Sequence, residues 1–103
     1  MPGATAVRNR SEIVTVSTPR GEVEVLRQQM RGLRHGSGWT WFWLARRTGK
    51  VEWCEASTAH EAIRRATLLP ARTPPAWLTN AAADAQRQIM LATSDESGSS
   101  KDR

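Results

Sequence analysis

Four of the chain's five tryptophans, its only phenylalanine and its only cysteine lie in one stretch, Ser37 to Cys54 (SGWTWFWLARRTGKVEWC). Trp39, Trp41 and Trp43 recur at every second residue, the period of a β-strand, in which alternate side chains share a face. The stretch therefore reads as a hairpin with large apolar groups on it, and the rest of the chain has to cover at least one face. Arg47-Thr48-Gly49 fits a three-residue loop closed by glycine in the left-handed conformation. That loop sets Arg46 opposite Lys50, Ala45 opposite Val51, Trp43 opposite Trp53 and Phe42 opposite Cys54. One face then carries Trp39, Trp41, Trp43, Val51 and Trp53, and the other Thr40, Phe42, Leu44, Cys54 and Ala56. A two-residue turn at Thr48-Gly49 would instead oppose Trp43 to Cys54.

Upstream, Met1 to Arg10 is small, polar and aperiodic, a flexible lead-in. Glu12 to Ser17 and Glu22 to Leu26 alternate around Thr18-Pro19-Arg20-Gly21 and predict a first hairpin, whose second strand can run on through Met30. Arg31 to Gly38 (RGLRHGSG) is a glycine-rich, positively charged loop. Downstream, Thr58 and Glu61 have capping-box spacing and open a helix that Pro70 stops. A second helix follows Thr73-Pro74-Pro75, with an apolar stripe of Leu78, Ala81, Ala82, Ala85, Ile89 and Ala92. Thr93 to Arg103 is polar and predicts a disordered tail. The expected architecture is α+β: a four-stranded antiparallel sheet of two consecutive hairpins, packed on one face by two C-terminal helices, ββββαα, with residues 11–92 as the single domain.

The helices' inward faces are mostly alanine, which allows close approach to a sheet but fills little volume, so the sheet has to supply bulk. This favours the face with Trp39, Trp41, Trp43 and Trp53 as core. Phe42, Leu44 and Cys54 would then form an uncovered apolar patch, a candidate partner or homodimer contact. In the inverse arrangement the exposed tryptophans, flanked by arginines, would form a stacking platform for single-stranded nucleic acid.

A chain of 103 residues with one cysteine contains no intramolecular disulfide and no all-cysteine zinc site within a monomer. Met1 to Arg10 has no apolar signal region and no apolar run approaches a membrane span, so a soluble, cytoplasmic protein without membrane contact is expected. The formal charge of +5 is unevenly placed. Between Glu24 and Glu52 there is no acidic residue, while Arg27, Arg31, Arg34, Arg46, Arg47 and Lys50 all fall there.

These six are the candidate nucleic-acid contacts: arginine forks suit phosphate oxygens, and Gly49 lets a backbone approach. No carboxylate pair, metal-ligand spacing, glycine-rich nucleotide loop or nucleophile elbow accompanies His35, His60 and Cys54, so no catalytic, cofactor or metal site is predicted and the chain is read as a non-enzyme. Two functions remain. The first is phosphate-dominated, salt-sensitive binding of DNA or RNA in a regulatory role. The alternative is an inhibitor or adaptor module, of the kind encoded by phages or mobile elements, that docks an apolar sheet face or edge on an acidic protein.

From Trp39 to Ala66 the order strand, basic hairpin tip Arg46 to Lys50, strand, and helix opened by Thr58-Ala59-His60-Glu61-Ala62 resembles the end of three-stranded-sheet DNA-binding domains such as the integrase arm-binding kind. The resemblance implies a strand bearing Trp and Arg in the major groove, braced by the helix. The chain departs from that pattern by lacking the glycine-rich, polar outer-strand residues set against bases and by adding a second helix.

Overall fold

The computed structural model describes residues 6–31, 38–70 and 72–101. In chain order the elements are β1 (Ala6–Arg10), β2 (Val14–Thr18), β3 (Gly21–Arg31), β4 (Trp39–Arg47), β5 (Cys54–Ala56), α1 (Ala59–Ala66) and α2 (Ala76–Lys101). All strand pairs are antiparallel, in the order β1-β3-β4-β5 with β2 also on β3. The protein is thus the expected α+β sheet with two C-terminal helices, but with five strands rather than four.

The additional strand is the first. β1 pairs with Gln28 to Arg31 and β2 with Gly21 to Val25, so the two share one edge of β3 and together fill a single ribbon of the sheet. Ser11 bridges the break: its hydroxyl donates to the Arg27 carbonyl at 2.9 Å and accepts from the Arg27 N–H at 2.8 Å. A side chain thereby keeps Arg27's backbone paired where the edge strand is interrupted. Residues 6–10, expected in the lead-in, are strand for this reason. At the other end, residues 93–101, expected to be disordered, continue the backbone of α2, which no proline interrupts after Pro75.

The core lies between the helices and one half of one sheet face. Val16, Val23, Val25, Trp43, Ala45 and Ala56 meet Ala59, Ala62, Ile63 and Ala66 of α1 and the predicted α2 stripe from Leu78 to Ile89. Of the tryptophans assigned to this core by their spacing, only Trp43 is buried, at 8% exposure; Trp41 is 38% exposed. The helices pack over the end of the sheet where β4 finishes, and the opposite end of that face, where β4 begins, carries Trp39 and Trp41.

The pairing of β4 with β5 also differs from expectation. Trp43 lies opposite Ala56 and Ala45 opposite Cys54, a displacement of three residues from the predicted pairs. A turn does form at Arg47 to Lys50, closed by the Lys50 N–H on the Arg47 carbonyl at 3.0 Å with Gly49 at φ +96°. Positive φ at the third residue of a four-residue turn is the type II requirement that glycine meets without strain. The ladder, however, resumes only at Cys54, so Val51 to Trp53 belong to the loop. Because side chains alternate, an odd displacement exchanges faces. Cys54 and Ala56 turn toward the helices, and Trp53 leaves the tryptophan face.

α1 starts as its sequence predicts, with the Thr58 hydroxyl accepting the Glu61 N–H at 3.1 Å. It ends earlier than Pro70. The Leu68 N–H reaches the Arg65 carbonyl and the Leu69 N–H the Arg64 carbonyl, both at 3.1 Å, the paired bonds of a Schellman ending. The residue in the left-handed position of that motif, usually glycine, is here Leu68 at φ +61°, and its side chain is 72% exposed. Leu69 turns back onto the core.

Two substitutions test this packing. Ile63 is completely buried between α1 and the sheet; Ile63→Ala is expected to lower the urea-unfolding free energy by about 2–5 kcal/mol. Leu68→Gly relieves a left-handed residue at the cost of a freer unfolded chain. It is expected to raise stability by roughly 0.5–1 kcal/mol, a rise of a few degrees in Tm.

Candidate functional site

The uncovered end of the helix-side face is built by cross-strand register. Arg27 lies opposite Trp43, Gln29 opposite Trp41 and Arg31 opposite Trp39, so all six side chains share one face. β1 extends this row, because Asn9 lies opposite Gln29 and its amide donates to the Gln29 side-chain oxygen at 3.4 Å. The Arg27 guanidinium sits 4.7 Å from the Trp41 ring centroid and 5.5 Å from that of Trp43, held by two indole faces. Cation–π contacts of this kind contribute about 0.5–2 kcal/mol, more as water is excluded. The Arg27 Nε is buried and has no hydrogen-bond partner among the described residues. A buried donor left unpaired is costly, so its placement here is notable. Trp41 covers one side of the arginine and presents its own ring outward.

The hairpin tip is organised differently. Arg46 points to the sheet face away from the helices, where its Nε donates to a Glu24 carboxylate oxygen at 2.7 Å and its Nη1 to the Val51 carbonyl at 3.3 Å. Its guanidinium lies 4.2 Å over the Trp53 ring. Arg46 is thus a brace for the loop that carries Trp53, with its Nε and Nη1 both engaged. Arg47 and Lys50 make no ion pair among the described residues. Beside them and the last turn of α1 lies a cleft of about 470 Å³, lined on the loop side by Arg46, Arg47, Lys50, Val51, Glu52 and Cys54 and on the helix side by Arg65, Ala66 and Leu68.

The candidate residues named from the sequence are therefore divided. Arg27 and Arg31 belong to the tryptophan end of the sheet; Arg46, Arg47 and Lys50 surround the tip and cleft. Arg34 and His35 lie outside the described residues. Of the predicted partner patch, Phe42 is buried at 6% exposure and Leu44 is half-buried, on the face away from the helices, where Leu26 lies opposite Leu44. Cys54 is on the other face, packed against the core and lining the cleft. The displaced register is what separates Cys54 from Phe42 and Leu44.

No protein-family model matches the chain, and no curated protein or solved structure matches it either. None of the helices among the described residues is long and apolar enough to cross a membrane.

Arg65, on the cleft wall, is positioned from two sides: its Nη1 donates to the Glu55 carbonyl at 3.1 Å and its Nε to Glu61 at 3.2 Å. Glu61 also binds Arg64, through Arg64 Nε at 2.9 Å and a second contact from Nη2. Hydrogen bonding from Arg64 foremost, with Arg65 adding to it, holds the Glu61 carboxyl at about 2, well below its ordinary 4.5, despite a smaller opposing effect of burial. The carboxylate form is thus favoured by folding. Its contribution is complete above pH 4.5 and disappears as pH falls toward 2. Glu61 is about a third exposed, so solvent screening limits the contribution to about 1 kcal/mol. In urea titrations across that pH range, Glu61→Gln is expected to remove this part of the acid-induced loss of stability, leaving a flatter profile than wild type.

Proposed function

We propose that the protein is a non-enzymatic nucleic-acid-binding protein that takes a single strand across the helix-free end of its sheet. The observation that carries this reading is Arg27 stacked against Trp41 and Trp43 while Trp41 keeps an outward ring. Bases of any identity stack on such rings, for about 1–3 kcal/mol each, and arginine adds a cation–π component. Arg31, exposed on the same face, and Asn9 and Gln29 beside it supply donors for phosphates and base edges.

Charge supports the same reading. With Glu24 committed to Arg46, no carboxylate lies in the sequence between β3's midpoint and the end of the hairpin turn. Arg27 and Arg31 therefore stand on β3 with few counter-charges, which attracts a polyanion and makes its affinity salt-dependent. A strand with splayed bases fits a ring-bearing sheet better than a duplex, whose bases are already stacked.

The test is fluorescence anisotropy of a labelled thymidine oligonucleotide, single-stranded and as a duplex, from 50 to 200 mM salt. Wild type is expected to prefer the single strand; Trp41→Ala should weaken binding by about 5- to 100-fold. Arg31→Ala should lower the slope of log affinity against log salt by about 0.7. Equal affinity for the duplex, or a Trp41→Ala variant that binds as wild type does, would exclude the reading.

A further inference from the structure

The cleft at the hairpin tip lies on the far side of the core from Trp41: Arg47 is six residues along the same strand, about 20 Å away. No aromatic ring lines it among the described residues, so a base has nothing there to stack on. What it offers is a different combination. Cys54 and Ala66 form apolar walls, and two aliphatic side chains from separate elements stand at the rim, Val51 at 84% and Leu68 at 72% exposure. Arg47 and Lys50 are free of ion pairs among the described residues, Arg65 is half-exposed beside them, and Glu52 is the one acidic residue in the lining.

Leu68 is the informative member. It occupies the left-handed position of the Schellman ending, where glycine is unstrained and leucine is not. A strained residue is normally retained where its side chain contributes to folding, yet this side chain points into solvent and buries little within the chain. The neighbouring Leu69, not Leu68, makes the packing contact with the core. Strain at an exposed aliphatic residue on the edge of a cleft is an observation from which a binding role follows more naturally than a structural one.

We infer that this cleft docks an acidic segment of a partner protein that carries an aliphatic anchor residue. The anchor enters between Val51 and Leu68 against Cys54 and Ala66, and flanking Asp or Glu side chains meet Arg47, Lys50 and Arg65. The volume of about 470 Å³ suits a side chain with its adjoining backbone. Val51 to Trp53 stand outside the β-ladder, and an extended segment can lie along them. The site is independent of the nucleic-acid reading and uses none of its rings.

The experiment is selection of a random displayed-peptide library on the full chain. The enriched peptides are then titrated against wild type, Leu68→Gly, the double variant Arg47→Glu/Lys50→Glu, and Trp41→Ala. The expected consensus contains Asp or Glu around Leu, Ile, Val or Met. Leu68→Gly is expected to lose at least ten-fold in affinity while melting no lower than wild type, which separates a binding role from a folding one. The double variant should lose as much, and Trp41→Ala nothing. The inference is overturned if no peptide is enriched, if the enriched peptides are not acidic, if Leu68→Gly binds them as wild type does, or if a thymidine oligonucleotide displaces them.

Discussion

Two helices whose inward faces are mostly alanine close best on a sheet that supplies the volume they lack. Here Trp43, with Val16, Val23, Val25 and Ala45, supplies that bulk from the sheet, and Ile63, Leu78 and Ile89 add to the same cluster from the helices. Aromatic burial of this kind is worth more area per residue than any other side chain offers. The consequence is spatial. Once the helices are seated over the end of the sheet that holds Trp43, they do not reach the end that holds Trp39 and Trp41. The chain thus uses one aromatic repeat for two purposes, a core at one end of β4 and a surface at the other, with Arg27 lying across the boundary between them.

A second constraint comes from Arg46. Its contacts with Glu24, the Val51 carbonyl and the Trp53 ring brace the hairpin loop and hold Trp53 on the face away from the helices. A half-buried ion pair at 2.7 Å contributes modestly to net stability. Its larger effect is on geometry, because the loop it braces is long enough to leave a cleft beside α1. Arg65, held by Glu55 and Glu61, forms the opposite wall. The tip and the ring-bearing end are therefore separate surfaces on either side of one core, each basic, one aromatic and the other aliphatic.

Much of this organisation was legible in the residues. Alternation predicts β2, β3 and β4, the Thr58 cap marks the start of α1, and the alanine stripe of α2 is buried as its spacing implies. The register of β4 with β5 was not legible. Arg47 to Lys50 does turn as its glycine suggests, but a local turn does not determine where pairing resumes, and Val51 to Trp53 has the composition of a strand while lying outside the ladder. The loop is also held by contacts that are distant in sequence: Arg46, which reaches the Val51 carbonyl, is anchored on Glu24, 22 positions away. β1 was missed for a similar reason: Ser11 closes its break through Arg27, a tertiary contact with no local signature. The arginines are clustered in sequence, but only the fold divides them into an ion-paired brace, Arg46, a ring-stacked residue, Arg27, and cations without an ion pair among the described residues.

The central claim is that the tryptophans of β4 are partitioned, with Trp43 in the core and Trp41 at the surface. The most direct measurement is fluorine NMR of the protein labelled with 5-fluorotryptophan, each signal assigned by a single Trp→Phe substitution, in the presence of a soluble paramagnetic agent. The Trp41 signal should broaden strongly and the Trp43 signal little. Equal protection of both rings, or broadening of Trp43 ahead of Trp41, would contradict the packing on which the structure and its proposed surfaces depend.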